Sequence, residues 1–266
     1  MPLSPNAPPP AEAPRADPSR SWQSGTSGFE ATLEDPSKKQ VAVDWVFDRV
    51  AARYDLGNDI MSAGMHTVWK RRLVDYARVE PHHRVLDVAC GTGDVTAMLA
   101  ARATAGEVIG TDINGSMVEV AKRKFPPGPR MRYVVADALA LPFDADSFDR
   151  VIVSYAGRGF PDWPAVAAEL ARVTRPGGEV WNLDFARPRP AWWDATVRGW
   201  MYVSGAALGL ALNGDSLTYR YIPQSMARYR GQRWLEQVFR DVGLEARTIE
   251  TRFVLMAYNQ GIKPFV

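Results

Sequence analysis

Residues 84–94 read RVLDVACGTGD, an apolar strand that runs straight into a Gly-x-Gly loop and then a helical pattern. No other feature restricts the fold as much. Such a loop can press its backbone against a ligand, because Gly91 and Gly93 carry no Cβ and tolerate positive φ. The next apolar run, EVIGTD, ends in Asp112, about 20 residues beyond the glycines. A carboxylate there, at the carboxyl edge of a parallel sheet, grips the two hydroxyls of a ribose. The pair points to a nucleoside cofactor without saying which one.

Spacing narrows the choice. A nicotinamide or flavin loop reads G-x-G-x-x-G, and its third glycine packs helix on strand. Here that third position is Thr96, which weakens the dinucleotide reading. The phosphate-loop pattern is absent as well. A loop without phosphate machinery, with Asp87 before it and Asp94 after it, suits a cationic ligand. S-adenosylmethionine fits, with its sulfonium, its amino group and no phosphate. The alternative is that the glycines merely make a tight strand-to-helix turn; Asp112 argues against it.

Nearly half of the 266 residues are hydrophobic, enough for one large domain or a domain with a modest insertion. The formal charge is only +2, so no strong basic field calls for nucleic acid. The single cysteine, Cys90, excludes a disulfide framework and suggests a reducing cytoplasm. It reads as a space-filler beside the turn. Only His66, His82 and His83 are present, their spacing is not that of metal ligands, and no metal is expected. The His82-His83 pair precedes the first strand and is expected to face solvent. Residues 1–39 are rich in proline and alanine and form a disordered tail in this reading. The tail has no apolar stretch of signal-peptide type. No stretch reaches the ~20 apolar residues that a membrane span needs.

From Val41 the pattern becomes regular, and residues 40–266 read as one domain. Val43, Val46, Phe47, Val50 and Tyr54 share a helical face. A turn at LGND precedes a helix near residues 66–77. Strands are expected at 84–89, 107–111, 132–135, 149–154 and 179–184. The intervening helices are expected at 95–103 (N-capped by Asp94), 115–124 and 163–174, the last closed by RPGG. Strands alternating with helices predict an α/β fold, a doubly wound, mostly parallel sheet. The alternation breaks at residues 187–229, a helical cap insertion with Trp192, Trp193, Trp200 and Tyr202. Such a cap over the sheet edge would make an apolar acceptor pocket. A helix at 231–242 and strands at 246–250 and 253–258 complete the chain.

The segments VFDRVAARYDLGNDIMSAGMHTVWKRR, VLDVACGTGD, TDINGSM, ADALALPFDADSFDRV and RVTRPGGEVWNLDF resemble the ubiquinone/menaquinone C-methyltransferase family, class I S-adenosylmethionine-dependent enzymes. The resemblance runs from about Val46 onward. The strings from Tyr54 to Lys70 and DSLTYRYIPQSM are its most characteristic parts. It implies that Thr92 contacts the methionyl part of the cofactor and that Asp112 holds the ribose. It implies that Asp137 and Ala138 meet the adenine and that Ser154 faces the junction of cofactor and acceptor. Asp87, at the first strand end, would help the methionine amino group. Where the family usually has F-G-L-R-N after the fourth strand, this chain has Tyr155-Ala156-Gly157-Arg158-Gly159. The arginine is kept and the asparagine is lost. The C-terminal LMAYNQGIKP also departs from the family pattern.

Methyl transfer needs an acceptor carbon aligned with the sulfonium methyl, in a site that excludes water. Tyr54, His66 and Arg158 are the catalytic candidates. Arg158 suits stabilisation of a phenolate, because a guanidinium hardly deprotonates. The implied reaction is C-methylation of a polyprenylated quinol precursor, demethylmenaquinol first and a ubiquinol precursor second. Methyl transfer to oxygen or nitrogen of another small hydrophobic acceptor is the alternative, and a non-catalytic cofactor-binding protein is the third reading. The tryptophans beside the uncharged run 203–212 suggest transient contact with the membrane surface, peripheral to its inner face.

Overall fold

The computed structural model describes residues 54–188, 191–213, 221–251 and 255–265. The expected tail, the helical run at Val43–Val50, the DSLTYR part of the cap string and the expected strand start at Phe253 lie outside the described residues.

Two helices come first, α1 (Tyr54–Ser62) and α2 (Met65–Tyr76). Strands and helices then alternate: β1 (Arg84–Val88), α3 (Asp94–Ala100), β2 (Glu107–Asp112), α4 (Gly115–Lys124), β3 (Met131–Val135), β4 (Phe148–Ser154), α5 (Trp163–Val173) and β5 (Thr174–Phe185). A long α6 (Ala191–Asn213) and a short α7 (Tyr221–Arg228) interrupt the alternation. After them come α8 (Gln232–Asp241), β6 (Glu245–Glu250) and β7 (Met256–Ile262).

The seven strands form one sheet in the order β3-β2-β1-β4-β5-β7-β6. The first five run parallel, and β7 is antiparallel to both β5 and β6. The fold is the doubly wound α/β architecture that the alternation predicts. Strand order reverses between β1 and β4, and a ligand crevice opens beyond the carboxyl ends at such a point. The central strands are mainly apolar because helices cover both faces. Val151 and Val153 join one core with Trp163, Leu170 and Phe239. Ile152 points the other way, into a core with Leu73, Leu99, Trp181 and Tyr258.

Several expectations need correction. The LGND stretch is not a turn; it lies inside α1, and the chain turns at Ala63-Gly64, with φ of 47° and 76°. Asp94 does not cap its helix. Gly93 occupies the N-cap in a left-handed conformation without a side-chain cap bond, and Asp94 is the first helical residue. A carboxylate in the first turn still suits the helix dipole. β5 starts at Thr174 rather than 179, because RPGG is an irregularity within the strand, with Gly177 at φ 76°. The final strand runs from Met256 to Ile262 rather than over 253–258. Its polar residues are buried but satisfied: the Asn259 amide donates to Gln232 O at 2.9 Å and Thr248 Oγ1 at 2.8 Å. Of the histidine pair, His82 is exposed but His83 is buried.

The insertion between β5 and α8 is helical. α6 packs on α7 and on α1. α7 reaches the segment that follows β4, so the pair lies at the carboxyl edge of the sheet.

Candidate functional site

At the end of β1 the chain winds tightly. Ala89, Gly91 and Gly93 all have positive φ, and the Cys90 amide bonds Thr111 O at 2.9 Å, which pins the loop to β2. The two glycines are bare for different reasons. A Cβ on Gly91 would meet nothing within 4 Å, so this residue faces open space. A Cβ on Gly93 would lie 2.9 Å from the Tyr133 hydroxyl and 3.1 Å from Ala121 Cβ. Gly93 therefore serves internal packing, not the ligand approach that the sequence suggested for both. Gly110 has a similar duty: a Cβ there would come within 2.9 Å of Thr96 Oγ1. The missing side chain in β2 makes room for the threonine at the usual third-glycine position.

Asp112 ends β2 and is 9% exposed. Its Oδ2 accepts the Gly91 amide and its Oδ1 the Asn114 amide, both at 2.9 Å. A carboxylate offers about four lone-pair positions, so a diol can still be held. Asp137 follows β3, stays exposed and accepts the Leu139 amide at 2.9 Å, an Asx-type turn. Ile113, Ala136, Asp137, Ala138, Leu139 and Phe160 line an apolar slot. Such a slot, with one carboxylate at its rim, suits a flat heterocycle with an exocyclic amine.

Asp87 is completely buried beneath the loop. Its Oδ2 accepts the Thr96 hydroxyl at 2.6 Å, while Oδ1 has no hydrogen-bond partner among the described residues. Burial, with the Asp112 charge adding to it, pushes the carboxyl up to about 7; Thr96 and Lys70 oppose the rise. A buried acid under the loop, a second carboxylate at the end of β2 and an apolar slot rimmed by Asp137 would suit S-adenosylmethionine, cationic at one end and aromatic at the other.

Thr92 is buried, and its hydroxyl donates to Asp55 Oδ1 on α1 at 2.8 Å. Lys124 bonds both Asp55 Oδ2 and Asp94 Oδ1 at 2.5 Å, and Lys70 bonds Asp94 Oδ2 at 2.8 Å. The chain Lys70–Asp94–Lys124–Asp55–Thr92 thus ties four helices over the glycine turn with no net charge. Burial works against the Asp94 carboxylate, but the two lysines outweigh it and hold its pKa below the usual range.

Ser154 ends β4, half-buried, in register with Leu183. Tyr155 follows with φ 59°, a left-handed conformation that costs a bulky residue about 1–2 kcal/mol. Arg158 is buried. Its Nε donates to Asp184 Oδ1 at 2.7 Å, and its Nη1 donates to Ser225 Oγ of α7 at 2.9 Å. The guanidinium also lies over the Phe185 ring, 4.7 Å from its centre. The arginine is therefore clamped between sheet and cap.

Asp87, Gly91, Thr92, Gly93, Asp112, Asp137, Ala138 and Ser154 all fall at the carboxyl ends of β1 to β4. Arg158 joins them from the loop after β4. His66 sits instead at the α1–α2 corner. Its Nδ1 lies 2.9 Å from Ser62 Oγ, and its Nε2 lies 3.3 Å from Thr67 Oγ1. Burial, then the Lys70 charge, holds its pKa below the ordinary imidazole value. Tyr54 opens α1, and its side chain lies outside what is described. The residues that sequence reasoning missed are Asp55, Lys124, Asp184 and Ser225. Asp184 alone had a visible signal, as a lone acid at the end of an apolar strand.

At the opposite edge, Glu80, His82 and His83 form a group that could hold a metal ion. Nδ1 of His83 accepts the Glu80 amide at 3.1 Å, so the proton of the neutral ring sits on Nε2, the atom that would have to bind.

A model of the ubiE/COQ5 methyltransferase family matches residues 35–263, further toward the N-terminus than Val46. A Bordetella parapertussis protein named ubiquinone/menaquinone biosynthesis C-methyltransferase UbiE is 38% identical over 231 residues, covering 84% of this chain and 86% of the relative. A Thermus thermophilus demethylmenaquinone methyltransferase is 35% identical over 220 residues, covering 82% of this chain and all of the relative. Among solved structures, a methyltransferase in complex with the Haloferax volcanii Trm112 activator superposes with a TM-score of 0.60 at 19% identity, over 82% of this chain and 98% of that one. At such identity the likeness concerns the fold alone.

Proposed function

The chain belongs to the ubiE/COQ5 methyltransferase family, with S-adenosylmethionine as cofactor, and on that premise we propose that it methylates a ring carbon of a polyprenylated quinol precursor. Demethylmenaquinol is the first acceptor in this reading and a ubiquinol precursor the second. The observation that carries it is the match at 35–38% identity, over more than four fifths of the chain, to enzymes named for these steps.

Bound S-adenosylmethionine supplies an electrophilic methyl group on a sulfonium. The acceptor carbon becomes nucleophilic when a neighbouring ring hydroxyl gives up its proton. Arg158 is the residue proposed to stabilise the resulting phenolate, and Asp184 and Ser225 fix its plane. Neutral His66 is the proposed proton acceptor, and Tyr54 is the further candidate beside the ring oxygen, able to take the proton only as its phenolate. Asp112, Asp137 and Ala138 hold the nucleoside, Thr92 and Asp87 the amino-acid end, and Ser154 stands between cofactor and acceptor. α6 and α7 exclude water above Arg158.

A prenylated acceptor resides in a bilayer and must be reached there. Among the described residues no helix is long and apolar enough to cross a membrane. The exposed tryptophans of α6 support a transient contact with the membrane surface instead, peripheral to its inner face.

Mass spectrometry of quinones from cells lacking the protein tests the reaction. Accumulated demethylmenaquinone supports the first acceptor and an unmethylated ubiquinone precursor the second. An unchanged pool, with purified protein inactive on both, overturns the proposal.

A further inference from the structure

Residues 136–147 carry the chain from β3, at the edge of the sheet, past β2 and β1 to β4, without helix or strand. Asp137, Ala138 and Leu139 lie at the start of this loop and line the apolar slot, as does Val166 of α5. The spacing between loop and helix therefore shapes the slot. The Ala140 amide bonds Asp137 O at 3.0 Å, so the turn that carries Asp137 leads directly into Leu141.

Beyond Val166, α5 presents Glu169 and Arg172, and these two side chains clip the loop backbone. Glu169 Oε1 accepts the Leu141 amide at 2.8 Å. Arg172 Nη2 donates to Leu141 O at 3.2 Å, and its Nη1 donates to Phe143 O at 2.9 Å. The guanidinium is itself held as a fork on the carboxylate, with Nε 2.7 Å from Oε2 and Nη2 2.6 Å from Oε1. The amide and carbonyl of Leu141 thus close a ring with one carboxylate and one guanidinium.

The clip is not what keeps the loop on the protein. The Leu141 side chain is 4% exposed and belongs to the core of Val151 and Phe239. The Phe143 ring meets Phe148 edge-on, 5.1 Å between centres. The side chains of Arg172 and Glu169 are 37% and 15% exposed, and a pair so open to water adds little stability. What it adds is orientation. Apolar packing is non-directional, whereas hydrogen bonds from a rigid helix set the peptide planes next to the slot residues.

We propose that Glu169 and Arg172 are positioning residues for the nucleobase of the cofactor, holding the 137–141 backbone so that Asp137 meets the exocyclic amine of adenine. The proposal rests on the assignment of Asp137 and Ala138 to the adenine and adds the residues that keep them in place. A carboxylate accepts a hydrogen bond from an amine and repels a carbonyl oxygen. Adenine and hypoxanthine are then told apart only while Asp137 stays at its station.

Calorimetry of the full chain with S-adenosylhomocysteine and S-inosylhomocysteine, which differ only at the base, tests this. The wild type should prefer the adenine compound at least about tenfold. Arg172→Met removes the fork and both carbonyl contacts; it should bind that compound about tenfold more weakly and lose most of the preference. Arg172→Lys should fall between, because a point charge cannot reach Glu169 and both carbonyls together. Loss of stability alone would weaken both ligands equally and leave their ratio as it was, and a melting curve beside each titration shows which variants are folded. A wild-type ratio retained in every folded variant overturns the proposal, whether or not affinity falls. A wild type that binds both compounds alike overturns instead the assignment of Asp137 to the adenine, and the positioning role with it.

Discussion

Arg158 and Asp184 are buried together, with side chains 6% and 1% exposed and 2.7 Å between Nε and Oδ1. Removing one partner strands the other charge, which typically costs about 3–5 kcal/mol. Arg158→Ala should therefore lose stability as well as turnover. A fall in rate alone would misreport its cause. Arg158→Lys keeps the charge but replaces a planar fork with a point, and it cannot serve Asp184 and Ser225 in the same geometry. It should unfold at a temperature closer to wild type than the alanine variant does, with turnover still at least about tenfold down, which is roughly 1.4 kcal/mol of transition-state stabilisation. Thermal unfolding and steady-state turnover, measured side by side, check both. Full activity in the lysine variant would take the arginine's geometry out of the mechanism.

The strand-to-helix unit of β1 and α3 depends on a glycine outside it. Gly110→Ala in β2 would bring a Cβ to 2.8 Å from the Tyr133 ring and 2.9 Å from Thr96 Oγ1. Overpacking of this kind costs about 1–3 kcal/mol. Because Thr96 bonds Asp87, the clash should also reach the glycine turn. The expected result is a melting temperature lower by several degrees and weaker cofactor binding in calorimetry; unchanged values for both would show that the sheet absorbs the methyl group. How far elements can be read from sequence follows the range of their contacts. β1, β2 and β4 are apolar runs buried on both faces, and their limits were legible to within a residue or two. The expected last strand stops at Tyr258, short of the polar Asn259 and Gln260, yet Asn182 and Gln232 meet Asn259 in β7 from 77 and 27 residues away. The site divides in the same way. Asp112 is legible because its spacing from the glycines is fixed by one βαβ unit. Asp55, Lys124 and Asp184 are not, since their partners stand 37, 69 and 26 residues off and only the folded sheet edge brings them together.

At the scale of the whole molecule, Asp87 links stability to pH. Its carboxyl is pushed up to about 7 in the folded protein, whereas an unfolded aspartate titrates near 4. Between those values the folded state holds a proton that the unfolded state has released. Through this group, stability is greatest below about pH 4, falls as pH rises to about 7, and is level above. His66 and His83 act in the opposite sense, because both have depressed pKa values and stability through them is lost as pH falls below the ordinary imidazole range. Comparison with Asp87→Asn isolates the aspartate. Without cofactor, the variant should gain on wild type in melting temperature from pH 5 to pH 8; parallel curves would mean that Asp87 is ionised throughout. The order of the sheet carries a consequence of another kind. β7 follows β6 in the chain yet lies between β5 and β6, and the Tyr258 hydroxyl closes on Trp69 O across 189 residues. Strands β1 to β4, which carry the proposed nucleoside site, leave the ribosome well before this one. A nascent chain can thus build its cofactor half early and must wait with the open edge of β5 unpaired. That interval is when the enzyme is most exposed to aggregation and most in need of a chaperone.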